Sequence, residues 1–452
     1  MKAVTNVIHL DGTLGSGIRQ VLYIRGFEAA VIHDIRIAAS TFDGVVEPEG
    51  VQHAGSIGLH NVTFDPAKTV RGANSLPAHR YPMSPSVTLP TPSFRTASAK
   101  RWAAIALVFV VTLPLSAAVK WNDISKQSAD WYRTPEAALV GDAVLSYQTE
   151  SGGWPKNWEM TQPISEAFRK LKETERAPTL DNGATTTQIR FLAKLAAAQR
   201  EPRFRVGAER GIDYLLRAQY PNGGWPQFFP LRSGYYTHIT FNDDAMILTL
   251  EVLRDAAAGQ ENFFWLDKGR QANAREAVER GIQCILRCQI VTEGVKTAWC
   301  AQHDETTLAP TSARKFEPAS LAGGESVGIL RFLIAIPDPS PEVKAAVIAG
   351  VAWFERVKLT GIRWERIDAP ALPKGQDIVV VRDPSAPPLW ARFYEIGTNR
   401  PIFVGRDAVI RYDVAEIEHE RRIGFSWYVT TARTLLEREY PRWVKKWKAA
   451  SK

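Results

Sequence analysis

Three segments recur at a spacing of about seventy residues, and this repeat constrains the fold more than any other feature. "AVLSYQTESGGWPK" (Ala143–Lys156), "YLLRAQYPNGGWPQ" (Tyr214–Gln227) and "CILRCQ…TAWCAQ" (Cys284–Gln302) each place a glutamine after an apolar helical pattern and a tryptophan beyond it. Gln148, Gln219 and Gln289 stand 71 and 70 positions apart. A unit of that length holds two helices and their connections, so the chain reads as a series of helical hairpins. The second helices also correspond: "DNGATTTQIRFLAKLAAA" (Asp181–Ala198), "NDDAMILTLEVLRDAAA" (Asn242–Ala258) and "GGESVGILRFLIAI" (Gly323–Ile336) each carry an acidic or amide residue near the start and apolar positions three and four apart. The Gly-Gly-Trp-Pro segments are expected to end one helix of each hairpin, glycine supplying a positive φ at the C-terminus and proline preventing the helix from resuming. Their tryptophans are expected to plug the gap between successive hairpins, since a buried Trp contributes a large apolar area. The fold class implied is mainly α: a closed or partly closed α/α toroid with its loops gathered at one mouth.

At 452 residues the chain exceeds the size at which single cores usually stop growing, so more than one unit is expected. A hydrophobic fraction of 45% with 23% charged residues marks a globular protein. The net charge of +8 favours an acidic partner, and nucleic acid, anionic lipid and polyuronate all qualify. No nucleic-acid recognition motif is present and the basic residues are scattered, so nucleic acid is not expected as a partner. Three cysteines, Cys284, Cys288 and Cys300, cannot build a disulfide framework. With His303 they weakly imitate a zinc set, but small core residues are the preferred reading.

From Met83 a Pro- and Ser-rich stretch leads to Arg95, Lys100 and Arg101, a short apolar run Trp102–Leu113 and the small-residue segment "PLSAA". That is the order of an export signal, and the run is shorter than the ~20 residues of a membrane span. Translation is therefore expected to begin at Met83 and the mature protein near Val119, secreted or periplasmic, monomeric and without stable membrane association after signal removal. A signal anchor or buried helix is the alternative. Upstream, "AAVIHDIRI" and "SIGLHNVTF" align on His33 and His60, 27 apart, with alternating strand patterns. This resembles the last coils of a polygalacturonase-type β-helix, too short to act alone. The organisation expected is thus a β-helix-like fragment at 1–74, a linker with the signal-like segment at 75–118, and a catalytic domain at 119–452.

"GGWPKN", "DNGATTTQI", "YPNGGWPQFFPL", "YYTHITFNDDAM", "WCAQHDETTLAPTSARKFEPASLAGGES" and "LWARFYEIGTNRPIFVGRD" occur in one order between Trp131 and Trp447. Together they resemble the pectate lyases of polysaccharide lyase family 10. The resemblance implies an exported enzyme with an (α/α)3 toroid and short irregular β elements, cleaving polygalacturonate, an acidic polysaccharide, by Ca2+-dependent β-elimination. It does not cover residues 1–118.

The chemistry asks for these residue types. β-Elimination removes the proton at C5 of a galacturonate and expels the oxygen at C4, and that proton is barely acidic beside an anionic carboxylate. A divalent cation and arginines on the carboxylate withdraw this charge. Calcium selects oxygen ligands. Asp181 and Asp243 suit that role, each near the start of a repeat helix, with Asp244 a possible substitute for Asp243. The competing reading of each aspartate is a helix N-cap. By the resemblance Arg314 in "TSARKFEP" stands at the position of the proton-abstracting arginine, with Lys315 and His303 as rivals. A guanidinium has a pKa above ~12, so a neutral fraction would need nearby cations and partial desolvation. Arg392 and Arg406 are the implied carboxylate clamps, and Lys156 adds a charge at the subsite edge. Two other classes remain open: a toroidal terpene cyclase or prenyltransferase using "NDDA", and a noncatalytic polyuronate-binding protein.

Overall fold

The computed structural model describes residues 119–450 and, ahead of them, eight strands between residues 9 and 66. The chain forms two units, Met1–Val110 and Val111–Lys452. The linker and signal-like segment at 75–118 lie outside the described residues.

In the first unit the strands are β1 (His9–Asp11), β2 (Leu14–Ser16), β3 (Gln20–Arg25), β4 (Ile35–Ala38), β5 (Thr41–Val45), β6 (Glu47–Gln52), β7 (Ile57–His60) and β8 (Thr63–Pro66). They pair in parallel as β1-β4-β7, β2-β5-β8 and β3-β6, so consecutive strands pass to three different sheets and each coil stacks on the last. That is the β-helix pattern expected. The register is not: Ala38, rather than His33, lies opposite His60, and Ile35 pairs with Ile57. Strand pairing follows the alternation within each strand, and a shorter connection between coils changes the offset without disturbing it.

The second unit is built from helices α1 (Pro135–Ser146), α2 (Glu166–Arg169), α3 (Thr186–Gln199), α4 (Pro202–Ala218), α5 (Ala245–Ala258), α6 (Lys268–Cys288), α7 (Glu325–Ile334), α8 (Pro341–Val357), α9 (His419–Gly424), α10 (Thr431–Thr434) and α11 (Tyr440–Ala450). Local signals start them. Thr134, Asp267 and Ser340 cap α1, α6 and α8 with side-chain oxygens, and Pro135, Pro202 and Pro341 open α1, α4 and α8. The pairs α3/α4, α5/α6 and α7/α8 form three hairpins, with α3, α5 and α7 touching in succession and α4, α6 and α8 touching in succession. The first set is buried nearly all round, as in Met246, Ile247, Leu250, Val252 and Leu253 of α5. The second set buries one stripe, as in Ala274, Ala277, Gly281, Cys284 and Cys288 of α6. The result is an α/α toroid of inner and outer helices. Among the described residues no helix is long and apolar enough to cross a membrane.

The repeated residues tie this architecture together. Gln148 donates to the Gly152 and Gly207 carbonyls (2.8 and 2.9 Å), Gln219 to those of Gly223 and Ala277 (3.1 and 2.8 Å), and Gln289 to those of Thr297 and Ala346 (2.9 and 3.0 Å). Each glutamine thus joins the turn after one outer helix to the backbone of the next. The indoles of Trp154, Trp225 and Trp299 are buried and donate to Val144, Leu215 and Ile285 carbonyls, each at 2.8 Å. Trp390 repeats the bond to Phe354 at 2.9 Å. A β-carbon at Gly211 or Gly281 would stand 3.0 or 3.1 Å from the Trp154 or Trp225 ring, so the next outer helix leaves room for the plug.

The glycines themselves do not cap the helices; the caps of α1 and α4 are Tyr147 and Gln219. Gly152 and Gly223 sit a few residues later in tight turns at φ 99° and 92°. A β-carbon there would meet the Arg210 and Arg280 carbonyls at 2.4 and 2.1 Å. Left-handed backbone and close approach both demand glycine.

Candidate active site

The site lies where the connections leading into the inner helices meet strands from the C-terminal third. Asp181–Gly183 and Asn242–Asp244 form matching short turns before α3 and α5, and the two turns touch. Asn182, Asp243 and Asp244 have φ of 53°, 51° and 57°, a left-handed conformation that Asn and Asp tolerate best among residues with a β-carbon. Neither Asp181 nor Asp243 caps a helix, so the N-cap reading fails. The helices begin only at Thr186 and Ala245, after the turns have displayed these side chains.

Asp181 is buried and its Oδ2 accepts from Lys156 Nζ. Asp243 is 41% exposed, its Oδ2 accepts from Asn242 Nδ2 at 2.8 Å, and its Oδ1 lies 3.7 Å from Arg392 Nη2. Asp244 turns the other way. Its Oδ1 packs so closely on α7 that a β-carbon at Gly328 would come within 2.1 Å. Burial, reinforced by Glu325, Glu251 and Asp243, pushes its carboxyl up to about 6. Of the adjacent pair, Asp243 is the one that faces outward with Arg392.

Arg392 extends from the strand edge at Trp390–Ala391 and Phe393–Tyr394. Its Nη2 donates to Glu325 Oε1 at 2.6 Å and reaches Asn242 Oδ1 at 3.4 Å. Glu325, at the first turn of α7, is buried, and that burial raises its carboxyl above the usual range against the opposing pull of Arg392. Its Oε2 has no partner among the described residues.

Arg314 is 44% exposed and forked by Glu317, which accepts from Nε at 2.8 Å and from Nη2. Glu317 raises the guanidinium's pKa further, outweighing partial burial, with Asp243 contributing in the same direction. The lowering expected from neighbouring cations is absent. The resting protein does the reverse, because a buried carboxylate three residues away holds the charge in place. Arg406 is forked by Glu420 at 2.9 and 3.0 Å. Arg314, Arg406 and Arg421 stand 4.8, 5.8 and 4.7 Å from the Phe316 ring centre. The six expected side chains fall into two groups, Lys156 on Asp181 with the touching turns and Asp243 on Arg392, and Arg314 beside Arg406 across Phe316, joined where Phe425 lies 4.6 Å from the Arg392 guanidinium and 5.5 Å from the Phe316 ring.

His303 is excluded as a base. It is buried, its Nδ1–H donates to the Leu308 carbonyl at 2.8 Å, and its Nε2 accepts from Cys300 N–H at 3.1 Å. Burial pushes its pKa down to about 4. The same two bonds deny His303 to a metal as a ligand; all three cysteines are buried, with Cys284 and Cys288 Sγ atoms 4.0 Å apart. Lys315 is exposed beside Arg314.

Sequence reasoning missed Glu317, Glu325, Asn182, Asn242 and Arg421. Glu325 carried a signal, the acidic residue opening the third repeat helix. It also missed the trio His238, Asp304 and Glu305, whose ligand atoms lie within 4.8 Å of one another. His238 Nδ1 is 2.9 Å from Glu305 Oε2, a contact that suffices to explain their proximity.

The sequence profile of the pectic acid lyase family matches residues 148–436. Two solved structures resemble the chain at 34% identity and a TM-score of 0.58: the family 10 polysaccharide lyase from Cellvibrio cellulosa, and a mutant of it in complex with trigalacturonic acid. Each comparison covers 70% of this chain and 93% of the other. A search of curated proteins returns no match. An α/α toroid whose mouth gathers two aspartates and three arginines, matched over most of its length by this profile, belongs to the pectic acid lyase family and is a pectate lyase.

Proposed function

We propose that the chain cleaves polygalacturonate by calcium-dependent β-elimination, with Arg314 as proton acceptor. The observation that carries this reading is the juxtaposition of the Asp181 and Asp243 turns with Arg392 and Arg314 at one mouth. The donors fit a hard cation: the Asp181 and Asp243 carboxylates and the Asn182 and Asn242 amides offer oxygen, with no sulfur or imidazole in the two turns. The chemistry such a cation supplies when bound is withdrawal of charge from the substrate carboxylate.

The remaining work falls to this chain's own residues. Arg392 and Arg406 bind uronate carboxylates, and Arg392 is held for that task by Glu325. Lys156 neutralises Asp181 until substrate and cation enter. Arg314 takes the C5 proton as the C4–O4 bond breaks; the electron pair forms the C4=C5 double bond and O4 leaves with a proton from solvent. The Glu317 fork occupies Nε and Nη2 and leaves Nη1 outside it. Because that fork also keeps the resting guanidinium charged, the base role requires the fork to open or to lose its charge when the polyanion binds.

The enzyme is expected to act outside the cytoplasm as a monomer, its catalytic domain running from 119 to 452. Incubation with polygalacturonate and Ca2+ should raise the ultraviolet absorbance of a 4,5-unsaturated product. Binding without that product would reduce the protein to a polyuronate-binding module.

A further inference from the structure

A basic strip runs along the C-terminal helical segment. α10, the turn Leu435–Glu439 and α11 follow one another without a break from Thr431 to Ala450. The apolar side of this segment is already used: Leu435 and Trp443 are buried, and Leu436, Tyr440, Val444 and Trp447 pack against the core. The other side carries Arg438, Arg442, Lys445 and Lys446, all exposed. Arg442, Lys445 and Lys446 stand three and four residues apart, so they share one face of α11, with Arg438 one turn before them. From Tyr440 to Lys452 the sequence has five basic residues and no acidic one.

These cations are not neutralised. Glu439, beside Arg438 in sequence, accepts from Arg331 at 2.8 Å instead, and among the described residues none of the four exposed cations has an ion-pair partner. The arginines of the mouth differ, since Arg314, Arg392 and Arg406 are each bonded to a glutamate. Like charges at three- and four-residue spacing weaken a helix by repulsion, a cost that a bound polyanion relieves.

The strip also lies away from the mouth. α7 starts there with Glu325, and Arg331, six residues or ~9 Å further along the axis, meets Glu439. α8 returns from the other end, and Lys344 in its first turn stands 4.3 Å from the Trp447 ring centre. α11 therefore runs from the flank of α7 to the end of the toroid opposite the mouth. It falls beyond residue 436, where the match to the family profile ends.

We propose that this strip is a second binding surface for polygalacturonate, holding a distant stretch of the same polymer that is cleaved at the mouth. The inference rests on the lyase reading above. A polyuronate fits better than a lipid surface because Trp443 and Trp447 are packed inward, which leaves the described part of α11 no large apolar side chain to enter a bilayer. Two contacts on one polymer raise the local concentration of substrate without altering the chemistry at the mouth.

The test replaces Arg438, Arg442 and Lys445 together by glutamine, a good helix former, at exposed positions whose loss of like charge should not unfold the helix. KM for long polygalacturonate should rise about 5-fold, the combined scale of three exposed ion pairs, and should become less sensitive to salt. kcat/KM for tetragalacturonate should stay unchanged, because so short a chain cannot reach from the mouth to the far end of a toroid whose 17-residue α8 is about 25 Å long. The same three neutralisations at exposed Lys268, Arg275 and Arg356 should leave the polymer KM near that of the wild type. An unchanged polymer KM in the strip variant, an equal change for tetragalacturonate, or an equal change in the control variant overturns the proposal. Binding to anionic phospholipid vesicles that the strip variant loses, with polymer KM unchanged, assigns the strip to a membrane instead. If the wild type forms no unsaturated product from either substrate, the lyase reading falls, and retardation in a gel containing polygalacturonate decides the strip: equal retardation of wild type and strip variant overturns it.

Discussion

Replacing Arg314 with lysine separates a proton acceptor from a carboxylate clamp. Glu317 is buried and accepts from both Nε and Nη2 of Arg314, a fork that only a guanidinium fills. Arg314→Ala would leave that carboxylate without its partner, and removing one member of a buried pair costs about 3–5 kcal/mol, lowered here because Arg314 is 44% exposed. Loss of activity in Arg314→Ala would then be confounded with instability. Arg314→Lys keeps a positive charge against Glu317 with one donor instead of two, so stability should fall by about 1 kcal/mol, the net worth of a hydrogen bond. Activity should respond far more strongly. A displacement of ~1 Å at a reacting atom can cost ~100-fold, and loss of a general base typically ~100- to 10,000-fold. Steady-state assay of the unsaturated product should therefore show kcat at least ~100-fold lower, with trigalacturonate binding by calorimetry largely kept. A retained kcat with a raised KM would be the signature of lost uniform binding. It would hand the proton to Lys315 and refute the mechanism.

Chelation with EGTA should abolish elimination and Ca2+, but not Zn2+, should restore it, because the two turns offer only oxygen ligands; full activity in excess chelator would remove the metal from the mechanism. A protein beginning at Val119 should be soluble and active, since the hairpins and all six site residues lie beyond that point; failure to fold while the full chain folds would contradict the domain boundary. His303 makes the fold acid-sensitive: burial lowers its pKa to about 4, so as pH falls from 6.5 the unfolded chain takes up the proton first, and up to about 3 kcal/mol of stability is lost towards pH 4. Urea titrations should show that loss in the wild type and a flatter pH dependence in His303→Gln. Gly223→Ala should destabilise by several kcal/mol, since its β-carbon would stand 2.1 Å from the Arg280 carbonyl at a φ of 92°; a melting temperature within a degree or two of wild type would contradict that turn.

Much of the catalytic domain was legible as sequence. Gln148, Gln219 and Gln289 announced the repeat, and each proved to bridge successive outer helices. Trp154 and Trp225 were expected as plugs and are fully buried. These features are legible because they are local: a helix, its turn and its plug are consecutive in the chain, so periodicity exposes them. The β-helix coils were recognisable for the same reason, but their register was not, because the connection lengths differ between coils.

The site divides along the same line. Arg314, Arg392, Arg406, Asp181, Asp243 and Lys156 could be named because they sit in family blocks, and the structure brings them together. Which charge each one meets was decided only in three dimensions. Arg392 meets Glu325 across 67 residues of sequence, and Asp244 rather than Asp243 is turned into α7 against Gly328. Even Glu317, three residues from Arg314, could not be oriented by spacing alone, because outside a helix such a separation leaves the side chains free to point apart. His303 was open as a base until its burial and two backbone bonds removed it. Residue type and repeat spacing are properties of the chain, so the sequence by itself determined the hairpins, the plugs and the inventory of charged groups. Ionisation and orientation depend on desolvation and on partners brought close only by packing, and these the tertiary structure alone decided.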